Sequence, residues 1–213
     1  MEHNTLALTS PMAPLIGSSP VNIPDSDISF VFVEGDAPST SDFGFVNLRT
    51  GQYTELDGPL SGMTDIAQSP IDGRFFAVTE SFFGNLLYSF ELGSDGKITN
   101  LTEIGPVGPR QPALGFAEDG TLYGAGFGQI YEIDLQTGQA TSAFGVIDRF
   151  VPTNSDLVVV DETIYVAAGF TSDDPFEYIF RFNRNTGVFI DPPISKPYII
   201  YSLCLTHLLL VRA

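Results

Sequence analysis

Short stretches of alternating apolar and polar residues recur along the chain. Tyr131, Ile133 and Leu135 alternate with Glu132 and Asp134, and Tyr178, Phe180 and Phe182 share a face opposite Arg181 and Asn183. A period of two marks a β-strand with one face on a core. Tyr88 and Phe90 hold the matching places in an earlier stretch, and Phe43, Phe45 and Asn47 make a less regular copy. Ahead of the last three stretches come apolar runs, RFFAVT, TLYGAG and TIYVAAG. Each run follows an acidic turn marker: Asp72-Gly73, Asp119-Gly120 or Asp161-Glu162. No segment of this region shows a sustained 3.6-residue apolar period with caps, so no helix is predicted there.

The alternating stretches end in a common turn. Asn47-Leu48-Arg49-Thr50-Gly51, Asp134-Leu135-Gln136-Thr137-Gly138 and Asn183-Arg184-Asn185-Thr186-Gly187 all read Asx-x-x-Thr-Gly, and Glu91-Leu92-Gly93-Ser94-Asp95-Gly96 is a looser copy. A short Asx side chain hydrogen-bonds the backbone just ahead of it, and the glycine supplies positive φ. The closing glycines 51, 96, 138 and 187 lie 45, 42 and 49 residues apart. Each unit reads as four strands: apolar strand, acidic turn, apolar strand, loop, alternating strand, Thr-Gly turn, final strand. The first unit lacks a convincing opening strand. Four-stranded units at this period predict an all-β protein built of antiparallel β-propeller blades.

The stretches DIAQSPIDGRFFAV and TLYGAGFGQIYEIDLQTGQAT resemble blades of the broad bacterial propeller class, which includes quinoprotein-like, lactonase-like and uncharacterised secreted propellers. The resemblance runs from about Ile28 to Ile190. It implies the fold and is nearly silent on function. The chain has no Trp and no Gly-His to Trp-Asp signature, which disfavours a WD40 protein. The predicted organisation is an N-terminal extension over 1–27, blades over 28–60, 61–108, 109–151 and 152–191, and an atypical apolar tail over 192–213. All 26 acidic residues lie at or before Asp191, and the last glycine is Gly187. Four units with such a tail lead us to expect an incomplete or truncated propeller. From Tyr198 to Val211 the tail offers 14 residues, short of the roughly 20 of a membrane span, so no stable insertion is expected.

Composition narrows the function. The net charge of −17, with only two lysines, excludes a generic nucleic-acid binder, since phosphate contact needs many cations. One Cys excludes a disulfide framework. The two histidines, His3 and His207, stand at opposite ends, so no Ser-His-Asp triad can form in the repeat region. The N-terminus has no basic region followed by an apolar run, so no signal peptide is read in this chain. The acidic, Lys-poor composition suits an extracellular or cell-surface protein, the leading expectation, and would also suit an acidic cytoplasmic one.

Candidate chemistry sits at the starts of the first strands. Counting back from the acidic turn markers makes Asp65, Pro112 and Asn154 equivalent, with Gln111 and Arg110 just before Pro112 and Asp156 two residues after Asn154. Asp65, Arg110, Gln111, Asn154 and Asp156 are therefore the candidate ligand-binding residues. The lactonase-like resemblance implies a divalent cation near the axis, and Asp65 and Asn154 are the residues that match. Hard cations take such oxygens. The acidic loops at Asp25 and Asp27, Asp36 and Asp42, and Asp173 and Asp174 lack EF-hand spacing. Gly124, Gly126 and Gly128 precede an alternating strand rather than a helix, which excludes a dinucleotide loop. No residue matches a catalytic base. The leading expectation is a non-enzymatic binding or scaffold module without cofactor, its ligand a protein, a glycan or a small molecule. The alternative is a calcium-dependent lactonase-like or quinoprotein-like enzyme module with its site at the channel mouth.

Overall fold

The computed structural model describes residues 28–34, 41–47, 49–56, 62–79, 84–108, 113–126, 128–146, 155–169, 177–190 and 194–196. Among these there are fifteen strands and no helix. The first sheet contains β1 (Ile28–Glu34), β2 (Ser41–Asn47) and β3 (Tyr53–Glu55). The second contains β4 (Met63–Gln68), β5 (Phe75–Thr79), β6 (Leu86–Leu92) and β7 (Ile98–Pro106). The third contains β8 (Ala113–Phe116), β9 (Leu122–Gly126), β10 (Gln129–Ile133) and β11 (Ala140–Val146). The fourth contains β12 (Ser155–Val160), β13 (Thr163–Gly169), β14 (Glu177–Asn183) and β15 (Ile194–Lys196). Every pairing is antiparallel between neighbours in sequence. This is the meander of a propeller blade.

The last three sheets are four-stranded as expected, and the first has three described strands. Its Thr-Gly turn lies between β2 and β3, whereas in the third and fourth sheets that turn joins the third and fourth strands. The strands β1, β2 and β3 thus hold the second, third and fourth places of a blade. The short strand β15 comes from within the stretch that the sequence set apart as the tail. The 1–27 extension, the 197–213 segment, Cys204 and His207 lie outside the described residues.

The turns form for the local reason read in the sequence. Asn47, Asp134 and Asn183 each accept two backbone N–H groups ahead of them, at 2.8–3.0 Å. Gly138 closes its turn at φ +76°, and an added Cβ would also stand 2.8 Å from the Gly105 carbonyl oxygen of the preceding sheet.

The sheets stack face to face, and each junction has its own core. Phe30 and Phe43 of the first sheet meet Ile66, Phe75 and Phe90 of the second. Phe76, Val78 and Leu87 meet Leu114, Leu122 and Ile133 of the third. Tyr123, Ala125 and Ile130 meet Leu157, Ile164 and Phe182 of the fourth. A middle sheet is therefore covered on both sides. That explains why β5 and β9 are continuous apolar runs, and why Ile130 and Tyr131 are both buried although adjacent in sequence. The first strands of the second, third and fourth sheets pack successively, β4 on β8 and β8 on β12, and β1, a second-place strand, packs on β4.

Candidate functional site

The strands β4, β8 and β12, with β1 beside them, line a half-open cavity of about 280 Å³. Its walls are largely apolar, with Ile66, Phe75, Leu114, Phe116 and Leu157 among the lining residues. Acidic residues are among the lining: Asp65 and Asp156 near the strand starts, and the exposed Glu118 just past the end of β8. Gly115 lets β8 approach β12 closely, since a Cβ there would collide with the side chain and backbone of Leu157.

Asp65 is tied to two sheets. Its Oδ1 accepts the N–H of Ile66 at 2.8 Å, within its own strand. Its Oδ2 accepts the N–H of Leu114 on β8 at 2.6 Å, which links the second sheet to the third. Asp156 repeats the local half of this arrangement, with Oδ1 accepting the N–H of Leu157 at 2.8 Å. Burial pushes the Asp65 carboxyl well above the usual carboxylate range, and the nearby Asp156 carboxylate raises it further. The two backbone donors oppose that rise without cancelling it.

Pairing registers show which residues are equivalent. Asp65 faces Val78, Ala113 faces Ala125, and Asp156 faces Ala167, each on the same rung of its sheet. Asp156, and not Asn154, is therefore the counterpart of Asp65. The count from the turn markers went astray because the turns differ in length. Ser69–Arg74 separates the β4–β5 ladder ends, whereas only Asp161 and Glu162 separate those of β12 and β13.

Of the five residues proposed from the sequence, Asp65 and Asp156 come together in the cavity wall. Arg110, Gln111 and Asn154 lie outside the described residues, directly ahead of β8 and β12. The loop acids Asp25, Asp27, Asp36, Asp173 and Asp174 are also outside them. The glycine-rich stretch runs from β9 into the antiparallel strand β10, with Gly124 opposite Tyr131. Sequence reading missed Phe30, Glu118 and the Leu114 N–H. The first two come from elements that only stacking brings to the cavity. The third is a backbone group, which leaves no mark in the residue type.

A calcium ion takes about six to eight oxygens. Among the described residues no three His, Cys, Asp or Glu side chains form a group that could hold a metal. Both Asp65 oxygens already accept backbone N–H groups. Asp65 and Asp156 alone supply fewer oxygens than a calcium ion takes, and Asn154 lies outside the described residues.

No family model matches the chain, and no curated protein does. Solved structures do. One is a gluconolactonase from Xanthomonas campestris, at 10% identity and TM-score 0.48, over 65% of this chain and 44% of that one. Another is a quinoprotein alcohol dehydrogenase-like protein from Bacteroides thetaiotaomicron, at 14% identity and TM-score 0.49, over 78% and 44%. A third is an auxiliary nutrient binding protein from the same organism, at 13% identity and TM-score 0.49, over 78% and 38%. The chain thus spans less than half the length of each of these proteins. One fold serves many activities, so no activity passes across at such identities. The described residues form an all-β array of propeller-type blades, with the first strands of the second, third and fourth sheets lining a cavity.

Proposed function

We propose that the chain is a non-catalytic binding module that takes a small ligand in the cavity among β1, β4, β8 and β12. One observation carries this reading: a cavity of about 280 Å³ lined by apolar and polar groups, with Asp65 and Asp156, from equivalent strand positions, among its lining residues. Such a site suits a ligand with an apolar body and a hydrogen-bond-donating end, an amine or a polyol. The raised Asp65 carboxyl fits this view, because a donor placed between Asp65 and Asp156 would relieve their repulsion. The reading needs no cofactor. Calcium is the alternative, and the same experiment addresses it.

Thermal unfolding with millimolar monosaccharides, amino acids, diamines or calcium chloride tests the reading. A ligand bound only by the folded chain adds about 2.7 kcal/mol at a hundredfold excess over its Kd. One or more organic ligands should raise the Tm by several degrees, and Asp65→Asn and Asp156→Asn should each reduce that rise. No shift with any organic ligand would overturn the reading. A shift with calcium but not magnesium, abolished by Asp65→Asn, would move the protein to the ion-dependent class.

A further inference from the structure

The cavity runs along β4, β8 and β12, and its acidic lining is divided between two ends. Asp65 and Asp156 stand near the strand starts, where Asp65 also holds the Leu114 N–H of β8. Glu118 lies past the other end of β8. Extended chain rises about 3.3 Å per residue, so Ala117, just before Glu118, is about 10 Å from Leu114. Between the two ends the strands contribute Ile66, Leu114, Phe116, Leu157 and Val159.

Charge points the same way. Among the described lining residues there are three acids and no Lys, Arg or His. The chain as a whole carries a net charge of −17, and such a field draws cations toward an acid-lined cleft. An ammonium group brings three donors and no acceptor. A carboxylate offers about four acceptor positions, and on Asp65 two backbone donors take two of them. A cation beside Asp65 would also offset the repulsion from Asp156 that lifts its carboxyl, which a neutral polyol would not do.

We propose that the cavity takes a linear organic dication, a diamine or polyamine, with one ammonium group at Asp65 and Asp156, the other at Glu118, and the methylene chain along the strands between. This ligand class rests on the binding reading above and narrows it from an amine or a polyol to a chain charged at both ends.

Titration calorimetry at fixed ionic strength with 1,8-diaminooctane, 8-amino-1-octanol and 1,8-octanediol tests the proposal, since the three share a length and differ in charge. The amino alcohol should bind about tenfold or more tightly than the diol, through Asp65 and Asp156. The diamine should bind about two- to fivefold more tightly again, the range of an exposed ion pair. Glu118 is exposed, so Glu118→Gln leaves the core intact, and it should cancel the advantage of the diamine over the amino alcohol. Asp156→Asn should weaken both amines. Asp95→Asn, in the exposed β6–β7 turn and outside the cavity lining, should change neither. Diol and diamine binding equally would overturn the dication and leave the binding module standing. No binding by any of the three would overturn the dication, and the module would then stand or fall on monosaccharides and amino acids. Diamine binding weakened as much by Asp95→Asn as by Glu118→Gln would be general attraction to an acidic protein, and would overturn the proposal as well.

Discussion

Aspartates at the turn end of the sheets and at the cavity shift in opposite directions. At the turn end, the Thr121 N–H and the Arg184 guanidinium hold the Asp119 carboxyl down at about 2. Backbone donors lower Asp134 in its Asx turn, and hydrogen bonds from Ser69 and Arg74 lower Asp72. At the cavity Asp65 also accepts two backbone N–H groups, but it goes up. Donor number does not separate the two regions. Burial and a facing like charge do. Local turn chemistry secures one end of each sheet, whereas packing sets the electrostatics of the other.

The largest test of that contrast is mechanical. Leu114 is 2% exposed between the second and third sheets, while Ile71 at the turn end is 68% exposed. Leu114→Ala should lower stability by about 2–5 kcal/mol. Ile71→Ala should stay within about 0.5 kcal/mol. Urea unfolding reads both, and comparable losses would erase the distinction between the two regions.

A smaller effect separates the carboxyl groups by pH. The folded pKa of Asp65 lies above its unfolded value near 3.9. The folded state therefore holds that proton more tightly, and stability rises as pH falls from neutral through the folded pKa. Asp72 and Asp119 shift down, so their contribution is present above about 3.9 and is lost as pH falls below it. The two windows do not overlap. Between pH 7 and about 4.5 the wild-type Tm should rise on acidification, and Asp65→Asn should flatten that rise. An unchanged slope in the variant would remove Asp65 from the account.

The smallest effect belongs to the turn end. Arg184 Nη1 donates to Asp119 Oδ2 at 2.7 Å, joining the turns of the fourth and third sheets, with the Asp119 side chain 51% exposed. A double-mutant cycle on this pair should give about 0.2–1 kcal/mol, falling with added salt. A larger, salt-insensitive coupling would show that the turn end is also held by tertiary electrostatics.

The blade pattern was legible because its causes are local. Alternation in Tyr178–Phe182, the turn at Asp134–Gly138 and the spacing of the closing glycines need only neighbours in sequence to act. The same locality explains the errors. Equating Asn154 with Asp65 assumed turns of constant length, and hairpins of two and six residues can carry identical strands. The one-sided reading of Tyr131 assumed a single core, whereas a middle blade is covered on both faces.

The sequence by itself determined that the chain forms short antiparallel strands joined by Asx and glycine turns, and that it repeats. The interactions responsible close within a few residues, so residue types alone specify them. Only the tertiary structure decided that Asp65 reaches the Leu114 N–H, 49 residues away in sequence, and stands near Asp156. It alone placed Phe30 and Glu118 in the lining of the same cavity. Those outcomes depend on how sheets stack, which arises from burial summed over whole faces and is written in no single stretch of the chain.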